Sequence, residues 1–199
     1  MKAIITGASK GIGKATAALF LEKGIDIAIN SRSQSDLEAV RDEFRQSFPE
    51  REILIKATDV SKKDEVYAFG EFVKSQWSAV DYLINNAGQY VPGQIHDEED
   101  DVLESQIDTN LYSAVRLTKS ILPVMLPQKK GTIVNISSIA GIMAYPNSGS
   151  YSVSKFALQG FSKVLRDELK DKGIRVVSVL PGATWTCLLY TSPSPRDRG

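Results

Sequence analysis

Short apolar, β-prone runs alternate with longer segments of helical period along most of the chain. This alternation restricts the fold more than any other feature. The runs are Lys2–Thr6, Ile25–Asn30, Glu52–Ala57, Val80–Ile84, Gly131–Ile136 and Ile174–Leu180. The intervening segments read as helices over Lys14–Lys23, Asp36–Phe48, a stretch ending near Trp77, Val102–Met125 and Tyr151–Lys172. Strands alternating with helices predict an α/β domain, a parallel sheet covered on both faces and doubly wound. In such sheets ligands bind outside the carboxyl ends of the strands. The 199-residue length suits one domain. Residues 1–186 follow the pattern with no internal repeat, low-complexity tract or linker.

The formal net charge is zero. Nothing in it favours nucleic acid or an anionic membrane as partner. No apolar run is long enough to span a bilayer, and the N-terminus enters a strand without a signal-peptide pattern. Cys187 is the single cysteine. An internal disulfide is therefore impossible, and a reducing, cytoplasmic setting is the expectation.

The chemistry gathers at the strand ends. After the first strand comes Gly7-Ala-Ser-Lys-Gly11-Ile-Gly13, leading into a helix. Strand, glycine loop and helix form the context of a phosphate-binding turn, with amide donors and a partial positive charge at the helix N-terminus. The plainer reading is a glycine-rich turn. The second strand ends in Asn30-Ser-Arg32 with no acid. In a dinucleotide fold an acid here binds the ribose 2′-hydroxyl and a base accommodates a 2′-phosphate. Arg32 and Lys10 therefore point to NADP(H) rather than NAD(H), unless they are only solvated surface cations. Asp59-Val60 closes the third strand, and Ser61-x-x-Asp64 resembles a capping box with Asp in place of Glu.

The fourth strand runs into Asn85-Asn-Ala-Gly88, small and amide residues suited to lying against a ligand or to a turn. The acidic run His96–Asp101 fits a helix start, where carboxylates complement the dipole. The lone His96 lacks the partners a metal site needs, so no metal is expected. Ser137-Ser138 ends the fifth strand, and Pro181-Gly-Ala-Thr-Trp-Thr186 follows the sixth. Tyr151 and Lys155 stand four apart, on one face of a helix. An unperturbed phenol has a pKa of about 10. A neighbouring ammonium lowers it and makes the tyrosine a usable acid or base toward a carbonyl or alcohol.

These residues together resemble the short-chain dehydrogenase/reductase family in its compact single-domain branch. The likeness covers residues 1–186 and rests on Thr6–Gly13, Asp59-Val60, Asn85–Gly88, Asn110, Ser138, Tyr151-x-x-x-Lys155 and Pro181-Gly182. It implies a Rossmann-like sheet in the order 3-2-1-4-5-6-7, here without its seventh strand. It also implies hydride transfer between nicotinamide and a carbonyl or alcohol. Dimers or tetramers would be built on Val102–Met125 and Tyr151–Lys172.

By the same likeness Tyr151 is the general acid in reduction. Lys155 lowers its pKa and holds the nicotinamide ribose. Ser138 binds the substrate carbonyl, with Ser137 the adjacent competitor, and Asn110 holds a water that relays protons to Lys155. Gly7, Ser9, Lys10, Gly11, Ile12, Gly13, Arg32, Asp59, Val60, Asn86, Ala87, Gly88, Pro181, Gly182, Thr184 and Thr186 would join Tyr151 and Lys155 around the cofactor.

The favoured activity is an NADPH-dependent carbonyl reductase. A 3-oxoacyl-carrier-protein reductase is the narrower alternative, and a non-catalytic NADP-binding regulator is another. An epimerase or dehydratase of the extended branch would require a different glycine spacing and a larger substrate domain. Beyond Thr186, Cys187–Asp197 breaks the periodicity and resembles a translated transposon-type sequencing adapter. Residues 187–199 are therefore expected to be a non-native or disordered tail, with the natural C-terminal segment absent.

Overall fold

The computed structural model describes residues 1–182. Thr184, Thr186 and the stretch expected to be a tail lie outside the described residues.

The strands are β1 (Lys2–Ile5), β2 (Asp26–Ser31), β3 (Ile53–Ala57), β4 (Tyr82–Asn85), β5 (Gly131–Ile136) and β6 (Ile174–Val179). They form one six-stranded sheet in the order β3-β2-β1-β4-β5-β6, with every pair parallel. The expected doubly wound α/β architecture is present. The helices are α1 (Gly11–Glu22), α2 (Gln34–Ser47), α3 (Lys63–Gln76), α4 (Asp101–Ile107), α5 (Ser113–Met125) and α6 (Gly149–Leu169).

Period-two alternation divides the strand side chains between two cores. Ala28, Ile4, Leu83, Ile133 and Val176 are neighbours in register across five strands. They share a buried cluster with Phe69 and Val73 of α3, Leu117 and Ile121 of α5, and Leu165 and Leu169 of α6. Ala3, Ile5, Ile27, Ile29 and Ile84 point the other way, into a cluster with Ala17 and Leu21 of α1 and Leu37, Val40 and Phe44 of α2. Strand order reverses between β1 and β4, which places the ligand crevice at their carboxyl ends.

The helix expected over Val102–Met125 is three pieces. A π-helical turn at Asp108–Tyr112 separates α4 from α5, and it carries Asn110. Such insertions occur mostly within helices and often at functional sites. The Ser61–Asp64 capping box is absent. The N-cap of α3 is Lys62, with no side-chain cap. Ser61 instead turns back, and its amide and hydroxyl donate to the Asp59 carboxylate at 3.1 and 2.7 Å. Short polar side chains after a strand compete for local turns in this way. The first helix begins at Gly11 rather than Lys14, because packing against the strands overrides the low helix propensity of glycine.

Candidate active site

The glycine loop is stitched to the two strands beside it. Gly7 N donates to Asn30 Oδ1 at 3.0 Å, and Ala8 N donates to Asn30 O at 3.0 Å. From the other side, Asn86 Nδ2 donates to the carbonyls of Thr6 and Gly7 at 2.8 and 3.1 Å. Thr6 Oγ1 accepts from the amides of Asn86 and Ala87 at 3.0 and 2.9 Å. Gly7 has φ +65°, a conformation that glycine adopts without steric cost. A Cβ on Gly13 would lie 2.3 Å from Gly7 O and 2.5 Å from Asn86 Nδ2, so only glycine lets α1 approach the loop this closely.

The first turn of α1 contains no acidic residue and no side-chain cap. Its amides form a donor set that suits an anion. Ser9 and Ile12 are part-buried along this turn, and Lys10 is exposed. Arg32 is exposed just beyond β2. Neither cation forms an ion pair among the described residues. Asp59 closes the far end, and its amide donates to Glu65 Oε2 at 2.7 Å. Burial pushes the Asp59 carboxyl up. The Ser61 hydrogen bonds, with the Lys62 and Arg32 charges, outweigh that and hold it below its ordinary value. Val60 packs against the core shared by α3, α5 and α6.

Four candidate catalytic residues reach the site from three elements. Asn110, 1% exposed, hangs from the π-helical turn. Its Oδ1 accepts from Gln89 N at 2.8 Å, and its Nδ2 donates to Gln89 O at 3.0 Å and Ser154 Oγ at 2.9 Å. Both side-chain donors are thus engaged by the segment after β4 and by α6. Ser138 caps a short 3-10 turn after β5, where its Oγ accepts from Ala140 N at 3.1 Å. Ser137, the competing serine, is buried, and its hydroxyl donates to Lys155 O at 3.4 Å.

Tyr151 and Lys155 lie in the first turns of α6. Lys155 is 4% exposed, and its Nζ donates to Ile136 O at 3.1 Å. Burial pushes its pKa down to about 8. Its Nζ sits 5.7 Å from the Tyr151 ring centroid. A Cβ on Gly88 would meet Asn110 Oδ1 at 3.1 Å and Lys155 Nζ at 3.4 Å, so that glycine lies directly over both. Pro181 joins the same edge by accepting from Ile139 N at 3.2 Å. Gly182 lies beside Ile139 as well.

The phenol departs from expectation. A lysine four residues away predicts a lowered pKa for Tyr151, yet the structure raises it. Burial is the largest cause and Tyr90 adds to it, while the neighbouring Ser138 hydroxyl opposes both. The Lys155 ammonium lies over the ring face, 5.7 Å from its centroid, and is itself destabilised by burial, so it does not offset the desolvation of a phenolate.

Two residues here escape sequence reasoning. Tyr90 packs edge-on against Tyr151, with ring centroids 4.9 Å apart at 74°. Glu98, read from sequence as complementing its own helix start, instead accepts hydrogen bonds at the N-terminus of α6. His96 lies beside Asp97 on the surface, at 3.4 Å. No helix among the described residues is long and apolar enough to cross a membrane.

The profile of the short chain dehydrogenase family matches residues 1–196. An uncharacterized oxidoreductase of Staphylococcus aureus is 34% identical over 196 residues, spanning 98% of this chain and 83% of that protein. Solved structures superpose closely. An alcohol dehydrogenase from Thermococcus sibiricus, complexed with 5-hydroxy-NADP, gives a TM-score of 0.90 at 27% identity, over 97% of this chain and 80% of its own. L-sorbose reductase from Gluconobacter frateurii, complexed with NADPH and L-sorbose, gives 0.90 at 32% identity, over 94% and 70%. A short-chain dehydrogenase from Streptomyces avermitilis gives 0.85 at 30% identity, over 92% of this chain and 65% of its own.

Proposed function

The chain belongs to the short-chain dehydrogenase/reductase family, an oxidoreductase family, and from that premise we propose that it reduces a carbonyl substrate with NADPH. The carrying observation is the meeting of Tyr151, Ser138 and Lys155 at the same strand edge as the glycine loop. The first-turn amides of α1, with Gly7 and Gly13 leaving room for them, fit a pyrophosphate. Lys10 and Arg32, with no acid at the end of β2, fit a 2′-phosphate. That two structural neighbours were solved with NADP forms supports the same choice.

The nicotinamide, when bound, supplies or accepts the hydride at the substrate carbon. Tyr151 gives its phenolic proton to the carbonyl oxygen as the carbon gains the hydride, so that C=O becomes CH–OH. A half-buried phenol held above its ordinary pKa retains that proton at neutral pH. Ser138 donates to the same oxygen and stabilises its developing charge. Lys155, charged below about pH 8, holds the ribose hydroxyls. Asn110 fixes the frame between Gln89 and α6. The reverse oxidation uses the same atoms.

The same reading includes a homo-oligomer in the cytoplasm. Val153, Phe156 and Val164 make an exposed apolar stripe along α6, with Leu103 and Tyr112 exposed on the α4–α5 segment. A second copy would cover it.

The test is fluorescence titration with NADPH and NADH, followed by loss of NADPH absorbance with a panel of aldehydes and ketones. NADPH should bind more tightly. Arg32→Asp should cut that preference about tenfold to a hundredfold, the worth of one charge-assisted hydrogen bond. Equal affinities would overturn the cofactor assignment, and an absence of turnover across the panel would overturn the reductase.

A further inference from the structure

The segment between β4 and α4 crosses the site and is fastened to the start of α6. Gly93 N donates to Asn147 O at 3.2 Å, and Gly149 N donates to Gly93 O at 3.0 Å. The Tyr90 hydroxyl donates to Asn147 O at 3.0 Å. Glu98 lies at the middle of this contact. Its carboxylate accepts from Ser150 N at 3.1 and 3.3 Å and also from the Ser150 hydroxyl. Ser150 is the second residue of α6 and is 1% exposed. Its amide is one of the four with no partner inside the helix, and a carboxylate there also complements the helix dipole.

The chain makes room for this carboxylate. A Cβ on Gly149 would lie 2.7 Å from Glu98 Oε1, and one on Gly93 would lie 2.6 Å from Glu98 Cγ. Tyr151 is the next residue after Ser150. The strap that Glu98 fastens also carries Tyr90, whose ring packs on the Tyr151 ring. One side chain therefore bears on the reacting phenol twice, through the helix backbone and through the aromatic neighbour.

We propose that Glu98 is a positioning residue for Tyr151, which ties the strap after β4 to the first turn of α6 and so sets the phenol against the substrate. Its kinetic part rests on the hydride-transfer reading above, and its structural part does not. The two parts are measured separately. Hydrogen exchange over residues 148–155 reads the tether. Steady-state kinetics and NADPH titration read its effect on Tyr151.

Glu98→Ala should lose protection at the Ser150 amide and its neighbours while β1 and β4 keep theirs. Its kcat should fall roughly tenfold to a hundredfold, the cost of a displacement of about 1 Å at a reacting group. Its NADPH affinity should stay close to that of the parent chain. Glu98→Gln keeps one acceptor oxygen and should recover part of both losses. Gly149→Ala displaces the carboxylate and should reproduce them.

Unchanged exchange in Glu98→Ala would refute the tether whatever the activity. Lost protection with unchanged kcat would reduce Glu98 to a structural cap and overturn the positioning role. So would a general loss of protection in which kcat and NADPH affinity fall together. A parent chain that oxidises no NADPH with any carbonyl would instead sink the hydride-transfer reading and the positioning role with it. The tether would then stand or fall on exchange alone.

Discussion

The two sides of the ligand edge are held by different means. On the nucleotide side, Thr6, Gly7, Asn30 and Asn86 sit within a residue or two of a strand's end, and their partners are mostly the backbones of adjacent strands. The loop there is hydrogen-bonded to the strands on both sides, and its tolerance is set by backbone space. On the catalytic side, Asn110, Ser138, Tyr151 and Lys155 come from a π-helical turn, a 3-10 turn and a helix. They are tied through functional side chains: the Asn110 amide holds the Gln89 backbone and the Ser154 hydroxyl, the Glu98 carboxylate holds the start of α6, and the Tyr90 ring packs on Tyr151. Its tolerance is set by which functional group each position carries. Substitutions should therefore fail differently on the two sides.

The largest effect belongs to the catalytic side. Tyr151→Phe keeps the ring against Tyr90 and removes the proton. Its kcat should fall roughly 10²–10⁴-fold, the usual contribution of a general acid, with NADPH still bound. Near-normal turnover would break the comparison, because the functional group would then not be what that side depends on.

A smaller effect is expected across the crevice. In Gly13→Ala the new methyl meets Gly7 O and Asn86 Nδ2 inside contact distance. Overpacking of this kind costs about 1–3 kcal/mol. Chemical denaturation should show that loss, and NADPH affinity should fall with it. An alanine chain of parent stability and affinity would mean that the loop yields, and that the nucleotide side is no stiffer than the other.

A third effect is a slope. Lys155 has its folded pKa lowered to about 8 by burial, from an ordinary 10.5. Between those values the unfolded chain binds the proton and the folded chain does not, so stability from this group rises with pH across that window. Below pH 8 both states are protonated, and the burial penalty stands in full. Lys155→Met removes the term. Its stability relative to the parent should be highest near neutral pH and decline between about pH 8 and 10.5, as read by paired denaturation curves. A difference independent of pH would show that the buried lysine is not destabilised as its surroundings imply.

Legibility followed the same division. The glycine loop, the cation-flanked end of β2 and the Asn85–Gly88 turn could be read because each lies where a strand stops, and strands announce themselves by apolar runs. Tyr151 and Lys155 could be read because four residues is a helical spacing. The break at Asp108–Tyr112 could not, since an inserted π turn leaves the apolar periodicity on either side intact. Nor could the departure of Ser61 from α3, where a capping pattern and a local turn onto Asp59 compete for the same hydroxyl. Glu98 was legible as an acid near a helix start, but its helix lies 52 residues further along the chain.

The sequence by itself determined the strand and helix order, the parallel sheet and the edge at which chemistry gathers. These follow from hydrophobic period, glycine placement and short-range spacing, all carried by neighbours in the chain. Only the tertiary structure decided that Tyr90 meets Tyr151, that Glu98 closes onto α6, and that the phenol of Tyr151 rises while the ammonium of Lys155 falls. Burial and long-range contact set these, and both depend on segments far apart in sequence brought together around one small volume.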